Sequence, residues 1–445
     1  LDPDPSLWER IVQQLLVHHD ALRLRFIATD GGWQQVITGS DETGLFTRAD
    51  FSALSEASLR PAIEAAASEL QASLNLSEGP LLRAALFDCG TQRPARLLLI
   101  IHHLAIDIIS WRILLEDLQT AWSQLSQGEP VQLPPKTTSF KYWAHRFTEH
   151  TRSGGFNEEL AYWLAAPRRG VCRLPVDYPA SNGANTEASA QSVSATLSVE
   201  ETRALLQDVP QTYNTQINDA LLTALVQAFA QWTGERTLLV DLEGLGREAI
   251  LEDVDLSRTV GWFTPLYPVR LELEDASQPG EALKSIKEQL RRIPNRGIGY
   301  GALRYLSGDA ETAEKLRTLP QAEVSFVYLG QSDTLFSESA WLGPACESSG
   351  PTQSQRGQRS HLLSINGAVA EGCLRLNWVY SKHRYREDTI EKLAEGFMEG
   401  LRTLIAHCQS RDARSWTPSD VEEFNWSQSD IDSIAGAIDK SLGNV

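Results

Sequence analysis

Residues 95–122 combine a strand pattern, a short polar turn and a helix pattern, and this order restricts the fold more than any other feature. Residues 95–101 are almost wholly apolar, as is typical of a strand buried on both faces. From Ile109 to Trp122, apolar side chains recur at helical spacing. The intervening segment, His102-His103-Leu104-Ala105-Ile106-Asp107, is therefore predicted to be a strand-to-helix turn.

The same alternation of strand and helix patterns continues along the chain, which favours an α/β fold with mixed sheets. Strand patterns occupy residues 21–27, 33–38, 81–87, 191–197, 237–242, 265–272, 322–329, 361–369 and 373–380. Helix patterns occupy residues 6–18, 56–74, 138–149, 156–166, 216–233, 279–291 and 389–407. Ser198 and Glu201 have the spacing of a capping box that opens a further helix. Residues 297–301, rich in glycine, are predicted to form a turn.

The length of 445 residues exceeds the roughly 100–200 residues of one domain, so we expect more than one compact unit. Proline and small polar residues interrupt both periodicities after residue 175. We predict an N-terminal lobe over 1–175, a linker over 176–190, a C-terminal lobe over 191–408, and a polar exit linker with a weak helix over 409–445. The first residue is Leu1, so the chain is expected to be a piece of a longer protein.

Composition and charge exclude several classes of protein. Hydrophobic residues make up 42% and charged residues 22%, which is ordinary for a globular enzyme. A net charge of −18 opposes broad binding to nucleic acid or to an anionic membrane. No apolar run approaches the roughly 20 residues that span a bilayer, so a cytoplasmic protein is expected. The five cysteines are scattered and form no CxxC pair, which favours neither a disulfide framework nor a zinc site.

The histidines of the predicted turn are the first candidates for chemistry, because side chains at strand ends commonly project into clefts. The alternative is that His102 and His103 only cap the strand. Asp107 lies four residues after His103, where a carboxylate can orient an imidazole or brace the loop through an arginine. A metal site is disfavoured, since no HExxH or CxxC motif supplies a third ligand. His18-His19-Asp20 lies at a predicted helix end and is interpreted as structural.

Several segments, in order along the chain, resemble motifs of the epimerisation branch of the condensation-domain superfamily of nonribosomal peptide synthetases. Residues 102–107 resemble the HHxxxDG motif, and residues 110–117 resemble the sequence that follows it in this branch. Residues 241–248 resemble its EGHGRE box. The others are residues 259–264, 294–301 and 326–331, which resemble the TVGWFT, PxxGxGYG and FNYLGQ boxes. The resemblance covers residues 1 to about 425, without the family's first strand.

This resemblance implies two lobes similar to chloramphenicol acetyltransferase, arranged as a V with the active site in a tunnel between them. It also implies epimerisation of the α-carbon of an L-aminoacyl or peptidyl thioester, which gives a D-configured residue. The substrate would arrive on the 4'-phosphopantetheine arm of a peptidyl carrier protein, so no cofactor of the domain's own is expected. Adenylation and condensation domains of the same assembly line are the other implied partners, with no nucleic acid and no membrane.

The resemblance also assigns the site residues. His103 and Glu243 would act as acid and base from opposite lobes, and Tyr328 would donate a hydrogen bond to the substrate oxygen. Supporting or structural positions are His102, Asp107, Trp111, Asp117 and Arg247.

Among the supporting residues, Asp107 and Arg247 are expected to form an ion pair across the lobes. Burial of aromatic rings favours Trp111, Trp262 and Phe263 as core residues.

Three positions depart from the family motifs. Ile108 replaces the glycine after the motif aspartate, Leu245 replaces the histidine of EGHGRE, and Val327 replaces the asparagine of FNYLGQ. Two alternative functions remain, of which the three departures support only the second. One is a condensation domain that uses the same histidine to form a peptide bond, and the other is a catalytically silent domain that docks a carrier protein.

Overall fold

A computed structural model describes residues 4–40, 43–165, 172–179, 182–273, 278–331, 342–410, 416–421, 426–431 and 433–434. Helices alternate with strands of mixed parallel and antiparallel pairing, so the predicted α/β class with mixed sheets is confirmed. The chain divides into two compact units. The first unit comprises Leu1–Ser153, Leu245–Thr264 and Thr334–Ser354, and the second comprises Gly154–Gly244, Pro265–Asp333 and Gln355–Val445. Neither unit is a continuous stretch of chain, whereas each predicted lobe is.

The first unit contains two small sheets and four α-helices among its described residues. Its elements are α1 (Pro5–His18), β1 (Leu24–Thr29), β2 (Gly32–Ile37), β3 (Phe46–Asp50), α2 (Glu56–Ala72), β4 (Leu82–Asp88), β5 (Arg96–Ile101), α3 (Ile108–Ser126) and α4 (Phe140–Arg152). Strands β1 and β2 form an antiparallel hairpin, and the other sheet has the order β3-β4-β5. Strand β3 runs parallel to β4, and β5 runs antiparallel to it.

The apolar strand β5 is less buried than its composition indicates. It lies at the edge of its sheet within the described residues, and of its side chains only Ile100 is fully buried. The central strand β4 carries the buried positions instead. The expectation that residues 95–101 are buried on both faces is therefore wrong, because an apolar run records composition but not the place of a strand in its sheet.

The core of the first unit lies between α1, α3 and the β3-β4-β5 sheet. Helix α1 begins where the Asp4 carboxylate accepts a hydrogen bond from the backbone N–H of Ser6. It buries Trp8 and Leu16 completely, and α3 contributes Leu118 to the same cluster. This core fixes α3, the helix that follows the histidine turn.

The second unit is built around a six-stranded sheet of order β6-β11-β10-β9-β7-β8. Its elements are α5 (Leu160–Leu164), β6 (Ala190–Thr196), α6 (Val199–Tyr213), α7 (Ile217–Thr233), β7 (Thr237–Glu243), β8 (Leu266–Glu272), α8 (Pro279–Arg291), α9 (Ile298–Tyr305), α10 (Ala310–Arg317), β9 (Val324–Gln331), β10 (Leu363–Ala370), β11 (Cys373–Ser381) and α11 (Glu387–Cys408). The predicted capping box opens α6, where Ser198 Oγ accepts from the Glu201 N–H and the Glu201 carboxylate accepts from the Ser198 N–H.

The glycine-rich segment 297–301 is not the predicted turn. Gly297 has a left-handed backbone, with φ of 88°, and directly precedes α9, which contains Gly299. A Cβ on Gly299 would lie 2.1 Å from a carboxylate oxygen of the buried Glu159. Packing therefore requires a glycine at position 299, because α9 passes close to the buried Glu159 carboxylate.

The predicted linkers contact the second unit in their described parts. Thr186 forms a β-bridge with Gln358, within the segment predicted as the 176–190 linker. In the polar tail, Asp420 accepts hydrogen bonds from Nζ of the buried Lys287 at 2.7 Å. The predicted tail helix lies largely outside the described residues, and the limits of the domains stay a prediction.

None of the helices in the described part of the chain has the length and apolarity needed to cross a membrane. The five cysteines, all of them in described segments, are free thiols.

Candidate active site

The predicted strand-to-helix turn is present between β5 and α3. His102 has an extended backbone, and its Nδ1 accepts a hydrogen bond from the Leu104 N–H at 3.2 Å. Residues His103–Ala105 form one 3₁₀ turn, and Asp107 is the N-cap of α3. Burial lowers the pKa of His102, and the neighbouring His103 lowers it further. His102 therefore caps the turn as a neutral acceptor, while the His103 side chain is exposed.

The buried carboxylate of Asp107 connects two segments of the first unit, residues 1–153 and residues 245–264. Its Oδ1 accepts from the Ser110 N–H at 2.7 Å, and its Oδ2 accepts from the Phe263 N–H at 3.2 Å. Both oxygens lie 3.1 Å from Nη2 of Arg247. One carboxylate thus closes the start of α3 and fixes the segment 245–264 beside it.

Arg247, the cation paired with Asp107, makes further contacts within the segment 245–264. Its Nη1 donates to the backbone oxygens of Leu256 and Thr259 at 2.8 and 2.9 Å. Its guanidinium carbon lies 4.2 Å above the centre of the Phe263 ring. Burial lowers the pKa of Arg247, and the charge of Asp107 opposes that effect. Gly246 precedes it with φ of 70°, a backbone conformation that glycine adopts readily.

The predicted ion pair between Asp107 and Arg247 is present, but its expected placement across the lobes is wrong. Both residues belong to the first unit, because the chain contributes residues 245–264 to that unit between β7 and β8. Arg247 follows a strand of the second unit by only a few residues. The sequence does not indicate that residues 245–264 belong to the first unit.

Ser110 belongs to the segment 110–117 that resembles the family, but no role at the site was predicted for it. Its side chain is fully buried, and its Oγ accepts from Arg247 Nη2 at 3.0 Å and from the Gly261 N–H at 3.1 Å. The same hydroxyl donates to the Gly261 carbonyl at 2.9 Å. A serine three residues after an N-cap aspartate, on the inner face of an amphipathic helix, was the available signal.

Trp262 is not a core residue. It is 41% exposed, and its ring centre lies 5.2 Å from that of His103 with the planes tilted by 55°. Phe263 beside it is only 4% exposed, so the core prediction is confirmed there. Trp111 is half-buried and packs on the core of the first unit. Burial statistics for aromatic residues thus fail at Trp262, whose ring packs against the candidate histidine.

Gly261 leads into Trp262 where the chain passes close to α4. A Cβ on Gly261 would lie 2.3 Å from Cδ2 of Phe140. Gly261→Ala is therefore expected to lower the free energy of unfolding by about 1–3 kcal/mol, the usual cost of overpacking. Chemical denaturation measures this effect. Gly39→Ala is the control, since a Cβ at Gly39 meets no atom within 4 Å, and equal stability of the two variants would contradict the prediction.

The structural interpretation of the His18-His19 pair agrees with the contacts of His19. Its Nε2 lies 2.8 Å from one carboxylate oxygen of the buried Asp117, whose other oxygen accepts from Arg258 Nη2 at 2.5 Å. Asp117 thus holds α1, α3 and the segment 245–264 together. Within the described ranges, His18, His19 and Asp117 are also the one group of three side chains with metal-ligand spacing. Both oxygens of Asp117 are already engaged by other side chains.

Glu243 and Tyr328 lie on neighbouring strands of the second unit. Strands β7 and β9 run parallel, with Leu242 paired to Phe326, so both residues lie toward the carboxyl ends of their strands. Glu243 is exposed and ends β7. Tyr328 is half-buried, and burial raises the pKa of its hydroxyl, which therefore keeps its proton at neutral pH.

The three departures from the motifs occupy ordinary backbone positions. Ile108 is the first residue of α3 and is 38% exposed. It is not among the residues with positive φ, so the position does not demand glycine. Leu245 is 52% exposed, and Val327 is half-buried within β9. All three side chains are compatible with the local structure.

A groove of about 920 Å³ in the second unit contains none of the predicted site residues. It is lined by charged side chains that include Arg270, Lys284 and Glu288.

Residues 2–425 match the family model of the condensation domain. The chain belongs to the condensation-domain family. This condensation-family domain is 47% identical over 443 residues to a component of the linear gramicidin synthase of Brevibacillus parabrevis, in a match that covers 99% of the domain and 6% of that protein. It is 43% identical to chondramide synthase from Chondromyces crocatus, over 100% of the domain and 11% of that protein. The domain thus spans a small part of the relatives that it matches.

A solved structure supports the same family. The epimerization domain from the third module of tyrocidine synthetase B superposes on the domain with a TM-score of 0.83 and 35% identity. The match covers 91% of this domain and 90% of that chain. The predicted family and its two-lobed fold are confirmed.

Proposed function

We propose that this domain epimerises the α-carbon of an L-aminoacyl or peptidyl thioester held on a peptidyl carrier protein. The observation that carries the proposal is the exposed imidazole of His103, presented on a turn that Asp107, Ser110 and Arg247 brace from within. The similarity to an epimerization domain over 91% of the chain supports the same reaction.

The reaction consists of two proton transfers at one carbon. A base removes the α-proton, and the electron pair of the broken C–H bond forms an enolate with the thioester carbonyl. An acid then returns a proton to the opposite face, which inverts the stereocentre and restores the thioester. We assign these transfers to His103 and Glu243, both of which are exposed and of residue types that exchange protons in catalysis.

Tyr328 would stabilise the enolate oxygen. Burial raises the pKa of its hydroxyl, so at neutral pH the group remains a hydrogen-bond donor. A fixed donor directed at a developing oxyanion lowers the barrier of such reactions.

No cofactor of the domain's own is required by this chemistry, because the thioester itself acidifies the α-carbon. The substrate would be delivered on the 4'-phosphopantetheine arm of a carrier protein. Adenylation and condensation domains of the same assembly line would supply the acyl group and take up the product.

The wild-type domain provides the direct test of this proposal. A carrier protein loaded with an L-aminoacyl or peptidyl phosphopantetheine should exchange its α-proton with heavy water when the domain is added, and a mixture of L and D residues should be released on hydrolysis. Mass spectrometry and chiral chromatography measure the two results.

A second carrier, loaded with an acceptor amino acid, distinguishes the alternative functions. Peptide-bond formation without α-exchange would establish a condensation domain. Neither reaction from a folded domain that binds the carrier would favour a silent docking domain. Either result would exclude the proposed epimerisation.

A further inference from the structure

Three large apolar side chains are exposed in the segments that meet at Asp107. Trp262, Ile108 and Leu245 are 41%, 38% and 52% exposed. Single exposed apolar residues are common on protein surfaces, whereas a group of them at one place indicates a binding surface. We call these three residues the apolar rim.

Hydrogen bonds to Asp107 relate the three positions. Ile108 follows Asp107 directly in the chain. Trp262 precedes Phe263, whose N–H donates to the Asp107 carboxylate at 3.2 Å. Leu245 lies two residues before Arg247, whose Nη2 is 3.1 Å from the same carboxylate. The polar atoms of this arrangement are turned inward, and the apolar side chains beside them are exposed.

His103 belongs to the same surface, because its ring contacts that of Trp262 with centres 5.2 Å apart. A group that removes an α-proton has to approach within hydrogen-bond distance of the α-carbon. The Cβ of the substrate is one bond from that carbon. The substrate side chain therefore has to lie close to His103 and to the apolar surface beside it.

The apolar character of the rim indicates which class of substrate side chain it can bind. Two rim residues, Ile108 and Leu245, stand where the resembling motifs have glycine and histidine. Each change adds an aliphatic side chain, and neither adds a hydrogen-bond donor or acceptor. A carboxylate, amide or hydroxyl of the substrate would lose water against such a surface without gaining a partner, which is unfavourable.

We infer that the apolar rim binds the side chain of the carrier-bound residue, and that the preferred substrates are thioesters of aliphatic or aromatic amino acids. This inference rests on the proposed epimerisation for its orientation of the substrate. It assigns Ile108, Leu245 and Trp262 as specificity-determining residues.

The test compares isosteric side chains. Carriers are loaded with L-leucyl or L-asparaginyl pantetheine, and with L-valyl or L-threonyl pantetheine, and kcat/KM for α-proton exchange is measured for each. We expect the apolar member of each pair to be preferred by about tenfold or more, the discrimination that a hydrophobic contact provides. Ile108→Ala and Leu245→Ala should each reduce the leucine-to-asparagine ratio several-fold.

Two control variants test whether the effect is specific to the apolar rim. Ile27→Ala removes an aliphatic side chain of 40% exposure from β1 in the same unit, and should leave the ratio unchanged. Ile108→Val keeps a branched aliphatic group and should retain most of the preference. Equal rates for leucine and asparagine in the wild-type domain, or an equal effect of Ile27→Ala and Leu245→Ala, would overturn the inference and leave the proposed function intact.

Binding of amide-linked carrier analogues, measured by calorimetry, separates this inference from the reaction itself. Tighter binding of the leucyl than of the asparaginyl analogue, without any α-exchange, would support the rim and exclude epimerisation. Equal binding and no exchange with any carrier would exclude both.

Discussion

Replacing His103 by alanine is expected to slow α-proton exchange by at least about 100-fold, the lower bound of the usual contribution of a positioned acid or base. The imidazole is exposed and lies on a turn held by other residues, so the melting temperature should change little. The same pair of results is expected for Glu243→Gln, which keeps the size of an exposed side chain and removes its proton-accepting charge. Exchange into heavy water and thermal denaturation measure the two effects.

Exposed residues of the same type provide the controls. His145 is 71% exposed on α4 of the first unit, and Glu314 is 55% exposed on α10 of the second. His145→Ala and Glu314→Gln should exchange at the wild-type rate. A normal rate in the His103 or Glu243 variant would remove that residue from the mechanism.

Arg247→Ala is expected to lower the free energy of unfolding by about 3–5 kcal/mol, the usual cost of leaving a buried ion without its partner. The Asp107 side chain is 1% exposed and would lose its cation. The backbone oxygens of Leu256 and Thr259 would lose their donors as well. Chemical denaturation measures the loss, and exchange should fall with it because the histidine turn loses its brace.

Arg112, on the helix that Asp107 caps, is the matched control. It is 62% exposed and pairs with Glu116 at 3.4 Å, so Arg112→Ala should cost at most about 1 kcal/mol. Arg247→Lys restores the charge but not the forked guanidinium, and an intermediate stability is expected. If Arg247→Ala and Arg112→Ala were equally stable, the buried pair would not have the structural role given to it here.

Much of the secondary structure could be predicted, because most helices bury one face and most strands lie between clear turns. Strand β3 was missed, since Phe46–Asp50 is short and largely polar and exposed. Helix α10 was missed for a similar reason, because it buries only Thr312 and Leu316. Apolar periodicity in a sequence reflects the burial of one face of a helix or strand. Elements that bury few side chains therefore show little periodicity.

The parts of the site that neighbouring residues form could be predicted from the sequence. The turn between β5 and α3 follows from the adjacent strand and helix patterns, whereas the role of Asp107 as the N-cap of α3 was not predicted. The exposure of Trp262 and the hydrogen-bond partners of Ser110 were not predictable. Both depend on where residues 245–264 pack, and this is a contact between segments far apart in the sequence.

The membership of residues 245–264 in the first unit also bears on how such domains can be recombined. Asp107 and Asp117 are buried in residues 1–153, and the arginines that neutralise them, Arg247 and Arg258, come from the later segment. A chimeric synthetase that exchanges residues 1–153 alone would join carboxylates from one parent to arginines from another. Crossover points at 244/245 and 264/265, together with the one after 153, keep these two carboxylates with the arginines that pair with them.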